Sequence, residues 1–365
     1  MRHQILIFIS FALLVYYGLH TLLFLLLIKF FSLREGGARF RIAILLFLLS
    51  LSFIIAFIWV QFRGHGFIRW FYYGSALWLG LLINLLIILG LGLFLFTVLK
   101  WLALRIDLRS LGVFLLALTA IYTFYGLYHA TQIKTKFISI PIRNIPAQWK
   151  GKKIAQISDM HLGIINGEGL ARKIASKVIE QKVDMVFITG DLLDGTGEDL
   201  HRLIEPLNRI TAPIYYITGN HETYLGMEKT VAAIQNTKIK LLRDEIIDVD
   251  GIQLVGIDFP MRGERKNLEP ILNKIAKGKP SILLLHEPSN SQLARQYDIS
   301  LQLSGHTHNG QMLPMKIFTH LIYKGFDHGL HQIGDYYLYT TSGAGTWGPP
   351  MRIGSTAEIV IITIQ

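Results

Sequence analysis

"KKIAQISDMHLG", Lys152–Gly163, is a short apolar run that breaks into a polar turn holding Asp159 and His161. A run of that length bounded by turn residues reads as a buried β-strand, and the change of character at Ser158 marks its end. The next stretch, "GLARKIASKVIEQ" (169–181), spaces its apolar residues as one face of a helix does. "DMVFITGDLLDG" (184–195) is then a second strand with a polar end, and "APIYYITGNHE" (212–222) a third. Between them a helix is expected from about Glu198 to Arg209, kinked or cut short near Pro206, since proline removes a backbone donor. "QLVGIDFP" (253–260), "SILLLHEP" (281–288) and "ISLQLSGHTH" (299–308) continue the series. Strands alternating with helices predict an α/β domain with much parallel pairing.

Five of these strands carry chemistry just past their C-terminal ends: Asp159 and His161; Asp191 and Asp194; Asn220 and His221; His286; His306 and His308. Open α/β sheets bind ligands at that edge, where the loops of neighbouring strands meet. Residues far apart in the chain are thus expected side by side in space. The last pair stands one residue apart, and at an extended strand end side chains two apart point the same way, so His306 and His308 are expected to converge. Carboxylates, imidazoles and a neutral amide in one cluster suit a divalent ion such as Mn²⁺, Fe²⁺ or Zn²⁺. Seven candidate donors exceed what one open catalytic ion needs and fit two ions sharing a bridging carboxylate. The chain has no cysteine, which excludes thiolate ligation and disulfides.

Composition divides the chain in two. It is 51% hydrophobic and 17% charged over 365 residues, too apolar for an ordinary soluble protein. Residues 1–147 hold 13 of the 36 Lys and Arg against only Glu35 and Asp107, so the whole net charge of +11 lies there and 148–365 is neutral. The basic excess therefore belongs to loops between apolar spans, not to a nucleic-acid-binding surface. Four spans are expected, at about 4–28, 42–62, 70–99 and 111–128, each long enough to cross a bilayer. The first is about twice a signal-peptide core and no small-residue cleavage site follows it, so it reads as a retained helix. Lys29, Arg34, Arg39, Arg41, Lys100, Arg105 and Arg109 follow the first and third spans, against Arg2, Arg63, Arg69, Lys134, Lys136 and Arg143 on the other side. That balance tilts the positive-inside rule toward an extracytoplasmic C-terminal domain. His20 and Asn84 lie inside spans, where interhelix hydrogen bonding is the ordinary role of polar groups. A transmembrane region over 1–130, a linker over 131–149 and a catalytic domain over 150–365 are expected.

"DMH" (159–161), "GDLLD" (190–194), "GNHE" (219–222), His286 after a strand, and "GHTH" (305–308) resemble, in order and spacing, the five-block signature of calcineurin-like metallophosphoesterases. "TSGAGTWGPPMRIG" (341–354) is similar to the closing segment of a bacterial membrane-associated branch of that superfamily. The resemblance implies a β-sandwich flanked by helices, a four-layer α/β/β/α domain behind an N-terminal bundle of about four transmembrane helices. It implies a first ion on Asp159, His161 and His308, a second on Asn220, His286 and His306, and Asp191 bridging them. It further implies hydrolysis of a phosphoester or pyrophosphate by a metal-bridging hydroxide, with His221 protonating the leaving oxygen. Asp194 resembles the carboxylate that orients that histidine, or caps its own turn. Arg352 resembles a residue contacting phosphate, or is a packing arginine.

Departures from the pattern narrow the subclass. Asp194 stands where purple acid phosphatases carry a tyrosine, and Gly195-Thr196 where Ser/Thr protein phosphatases carry Arg-Gly. Neither a ferric-tyrosinate centre nor a phosphoprotein substrate is expected. A phosphorylated small-molecule or lipid substrate is, in a bacterial cell membrane; some relatives cleave UDP-diacylglucosamine. The alternative is a catalytically silent membrane scaffold or sensor that retains the fold. Every ligand position and the presumed acid are present, which favours the enzyme.

Overall fold

The computed structural model describes residues 2–60, 62, 66–195, 199–261, 264 and 266–365. The end of the second expected span at 61, Arg63, Thr196 and Glu198 lie outside the described residues. Two compact units divide the chain: Met1–Tyr128 with Gly348–Met351, and His129–Trp347 with Arg352–Gln365.

The first unit contains α1 (Arg2–Phe31), α2 (Gly36–Val60), α3 (Phe67–Trp101) and α4 (Leu108–Ala130). All four described helices are long and apolar enough to cross a membrane. Leu23, Phe30, Leu82 and Leu89 are buried where they pack on one another, yet Phe47, Phe94 and Phe124 stay 56%, 69% and 72% exposed. A bundle apolar on its outside suits lipid, not water. The intramembrane polar groups are spent between helices. Trp78 Nε1 donates to His20 Nε2 at 3.1 Å, and Asn84 Nδ2 to Thr123 Oγ1 at 3.0 Å.

The second unit holds, in chain order, β1 (Lys134–Ile140), β2 (Lys153–Ile157), α5 (Glu168–Glu180), β3 (Met185–Thr189), α6 (Leu200–Ile204), β4 (Ile214–Ile217), α7 (Asn220–Leu225) and α8 (Met227–Ile234). Then come β5 (Ile239–Leu241), β6 (Glu245–Val249), β7 (Ile252–Gly256), α9 (Glu269–Leu272), β8 (Ser281–Leu284), α10 (Ser291–Gln296), β9 (Leu301–Ser304), α11 (Met315–Ile322), β10 (Gly329–Ile333), β11 (Tyr336–Thr340) and β12 (Glu358–Ile364). The helix expected near Pro206 is the short α6 followed by a 3₁₀ turn, Glu205–Arg209, with the proline in that turn.

Among the described residues the strands form two six-stranded sheets, β1-β12-β2-β3-β4-β5 and β10-β11-β9-β8-β7-β6. From β2 to β5 and from β7 to β9 the pairing is parallel, with antiparallel partners toward the edges. The inner strands of both sheets are apolar on both faces, so their side chains alternate between two cores with the strand period. In β3, Met185 and Phe187 face the second sheet while Val186 and Ile188 face α5. In β8, Ile282 and Leu284 face the first sheet and Leu283 faces the layer of α9 and α10. The result is four layers, α/β/β/α. The segment 131–149 is more than a linker, as the alternation of "KTKFISIPIRN" (134–144) suggests. It supplies β1, paired in parallel with β12 from Lys134–Glu358 to Ile140–Ile364, so it is an edge of the first sheet.

Candidate metal centre

The parallel strands β2, β3, β4, β8 and β9 end at one edge of the sandwich, and the turns that leave them carry the donors. The chain bends sharply there. Asp159, His161, Asp191, His306 and His308 all have left-handed backbones, with φ of 52°, 46°, 49°, 70° and 51°. A non-glycine residue resists that region, at about 1–2 kcal/mol each, so the surrounding packing must impose it. It does so tightly. A Cβ on Gly190, itself at φ 95°, would stand 2.3 Å from His286 Nδ1, and one on Gly219 would stand 2.2 Å from Asp191 Oδ1. Only glycine lets the turns approach this closely.

Two groups of donors result. Asp159, His161 and His308 form one, and Asp191, His286 and His306 another, each with ligand atoms within 4.8 Å of one another. In the first, His161 Nε2 faces His308 Nε2 at 2.9 Å, and Asp159 Oδ1 is 3.5 Å from His308 Nε2. In the second, His286 Nε2 lies 3.3 Å from Asp191 Oδ2, 3.3 Å from Asn220 Oδ1 and 3.2 Å from His306 Nδ1. Asp191 stands between the groups, its Oδ2 also 3.7 Å from His161 Nε2. His306 and His308 do not converge on one point, as an extended strand end would make them. The chain leaves the strand after Ser304 and turns left-handed at both, so each joins a different group.

The donor chemistry fits cations. His286 Nδ1 is 2.7 Å from the Thr189 carbonyl, an acceptor only, so that nitrogen carries a proton. Its Nε2 is thereby left facing a carboxylate oxygen, an amide oxygen and a second imidazole. One proton there would serve one of these acceptors; a divalent cation serves all of them. These groups are buried except His306, which is half-buried.

The charges pull on one another. Burial pushes the Asp159 carboxyl up and His286 opposes it. Burial acts the same way on Asp191, but His286, His161 and His221 outweigh it and hold that carboxyl well below its ordinary value. His286 runs opposite: burial lowers it, yet Asp191 and Asp159 carry it to about 10. Burial and the neighbouring imidazoles hold His306 at about 3 and His308 well below its ordinary value.

His161, Asp194 and His221 form a third group. Asp194 Oδ1 is 3.4 Å from both His161 Nδ1 and His221 Nδ1, and His221 Nδ1 is 3.0 Å from the Asp194 backbone oxygen. Burial lowers His221, but Asp194 and Asp191 prevail and raise it to about 9. Asp194 thus orients two imidazoles. One of the two, His161, belongs to the first donor group.

Two residues do more than their sequence showed. Glu222, wholly buried, accepts the amides of Asp191 (3.0 Å), Gly219 (2.7 Å) and Leu193 (2.9 Å), and so ties the β3 and β4 turns together. Its place beside a presumed ligand was the one available signal. Arg352 packs inside the domain: it is 0% exposed, and its guanidinium donates to the carbonyls of Ser342, Gly343, Gly345 and His308 and to Ser355 Oγ. Its Nη2 also sits 3.3 Å from His308 Nδ1. It packs behind His308.

Residues 152–310 match the calcineurin-like phosphoesterase family. An uncharacterized metallophosphoesterase of Campylobacter jejuni is 34% identical over 241 residues, covering 64% of this chain and 64% of that protein. A transmembrane protein with a metallophosphoesterase domain from Danio rerio is 34% identical over 273 residues, covering 68% and 62%. The chain spans a little under two thirds of the length of these curated relatives. Among solved structures, TT1561 of Thermus thermophilus is similar over 54% of this chain and 90% of its own, with a TM-score of 0.38 and 12% identity. The family match over 152–310 and the candidate donor groups point to the same class, the metallophosphoesterase domains. The chain carries a calcineurin-like metallophosphoesterase domain, preceded by four apolar helices that fit membrane association.

Proposed function

We propose that the protein is a multi-pass membrane phosphoesterase that uses two divalent ions to hydrolyse a phosphoester or pyrophosphate bond in a lipid-linked or envelope substrate. The observation that carries this reading is the pair of donor groups on either side of Asp191, assembled from five strand ends. Asp159, His161 and His308 would hold one ion and Asn220, His286 and His306 the other, with Asp191 between them. Bound Mn²⁺, Fe²⁺ or Zn²⁺ supplies Lewis acidity, activating water and neutralising phosphoryl oxygens.

The chain's own groups do the rest. His221 spends Nδ1 on the Asp194 backbone oxygen, which leaves Nε2 as the nitrogen able to pass a proton to the leaving oxygen. Asp194 keeps that ring in orientation from 3.4 Å. Trp347 and Tyr224, with ring centroids 6.2 and 5.5 Å from that of His221, wall this side of the site. The neutral composition of 148–365 disfavours a nucleic-acid substrate, and the apolar spans favour one held in a membrane. The loop charges favour an extracytoplasmic domain.

The test is hydrolysis of an aryl phosphate with Mn²⁺ by the detergent-solubilised chain. Asp191→Ala and His306→Ala are each expected to cost more than about 100-fold, beyond the range for removing a group that only supports a ligand. Full activity in both variants would refute the proposal. Products of phosphorylated and nucleotide-linked lipids, followed by mass, then identify the substrate.

A further inference from the structure

The α11 helix is built inside out. On an ordinary surface helix the apolar stripe faces the core and the polar side faces water. In α11 the polar side is tied to the protein. Lys316 Nζ donates to the Gly354 carbonyl at 3.2 Å, Thr319 Oγ1 lies 3.4 Å from Asp327 Oδ2, and His320 Nδ1 lies 3.0 Å from Asp327 Oδ1. Asp327 itself is buried. The apolar side points away: Ile317, Phe318, Leu321 and Ile322 are 57%, 50%, 69% and 68% exposed, and no residue of the helix is buried. Leu313 and Met315 extend the patch. A contiguous exposed apolar face of this kind marks a contact with something apolar.

The topology of the domain says what that is. The helix α4 ends at Ala130 and β1 begins at Lys134, so the tether is Thr131–Ile133, reaching about 10 Å at most. In the first sheet Lys134 pairs with Glu358 and Gln156 with Val360, which brings the start of β1 level with the turn bearing Asp159. The membrane tether therefore enters the domain at the same sheet edge that carries the donors. The helix α11 stands at that edge as well: it follows the His308–Gly310 turn, and Tyr323, just past its end, has its ring 6.2 Å from that of His306. Trp347 is 57% exposed beside His221 and is bonded through its backbone to the Gln311 side chain. An apolar helix face, an exposed indole and a lysine at 324 are what a bilayer interface accepts.

We propose that α11 lies in the bilayer interface with its outward face among lipid acyl chains, bringing the metal site to the membrane surface. The proposal rests on the membrane reading of α1–α4 and not on catalysis.

The absence of cysteine makes the test direct. Ile317→Cys, Leu321→Cys, Phe94→Cys in α3 and Lys277→Cys, exposed in the turn before β8 at the opposite sheet edge, each take one nitroxide label. The full chain is placed in phosphatidylcholine–phosphatidylglycerol vesicles. Relaxation by oxygen, which concentrates in acyl chains, is compared with relaxation by a water-soluble nickel chelate. Labels at 317 and 321 are expected to favour oxygen several-fold, as at 94, while 277 favours nickel. Nickel dominance at 317 and 321 with oxygen dominance at 94 would overturn the proposal and leave the membrane reading standing. Nickel dominance at 94 would overturn both. Shielding from both reagents at 317 and 321, with dipolar broadening between labels, would show a second copy on this face and overturn it too.

Discussion

The guanidinium of Arg352 is out of contact with solvent, among backbone carbonyls and 3.3 Å from His308 Nδ1. Burial pulls it down to about 10, with Asp159 and Glu358 opposing, so it stays charged near neutrality. Lysine keeps the charge but not the planar fork, and leaves several of those carbonyls unpaired. Arg352→Lys is expected to weaken the Mn²⁺ dependence of activity by about 10–100-fold, in the range seen when a group supporting a ligand is lost. An unchanged Mn²⁺ titration with only a lowered melting temperature would make the residue purely structural. This role was not legible in "PPMRIG", because a sequence does not say whether an arginine faces a pocket or the wall behind it. The donor positions were legible as polar residues just past five apolar runs, the ends at which open α/β sheets gather their ligands. Their left-handed backbones were not. Glycine announces such a turn; Asp159, His161 and His308 adopt it because the packing of neighbouring turns requires it.

Among elements, the seam between β11 and β12 joins the two sheets through one carboxylate. Glu358, at the start of β12, accepts from Tyr339 Oη at 3.1 Å, Thr341 Oγ1 at 3.0 Å and the Ser342 amide at 3.1 Å. Burial pushes its carboxyl up, but His328, the Ser342 amide and Lys136 prevail and hold it below the ordinary 4.5. A carboxyl depressed in the folded state adds stability that is complete above the unfolded value and is lost as pH falls through the folded one. Melting temperature against pH should therefore fall less steeply below about 4.5 for Glu358→Gln than for the wild type. Parallel curves would contradict this. The strand β12 and its partner β1 show where sequence reading stops. Each is visible as an alternating or apolar run, but nothing local says that Lys134 pairs with Glu358. Their partnership is set by closing the sheet across most of the domain. Helix α11 is a second case: an amphipathic pattern reads alike whichever face is turned inward.

At the scale of the molecule, charge and hydropathy separate the chain cleanly. The whole net charge lies before residue 148, most of it at the ends of the apolar spans and the rest in and after β1, and the neutral remainder forms the other strands of the sandwich. The α/β class and the common edge follow from strand–helix alternation; the division into two sheets does not, because consecutive strands pair in either arrangement with the same pattern. The donors gathered around Asp191 are expected to hold two divalent ions. Elemental analysis of the purified full chain, loaded with Mn²⁺ and freed of excess, tests it most directly. The account predicts two equivalents per chain for the wild type and a clear loss in Asp191→Ala, at a retained fold. No retained metal in the wild type, or two equivalents undiminished in Asp191→Ala, would contradict it.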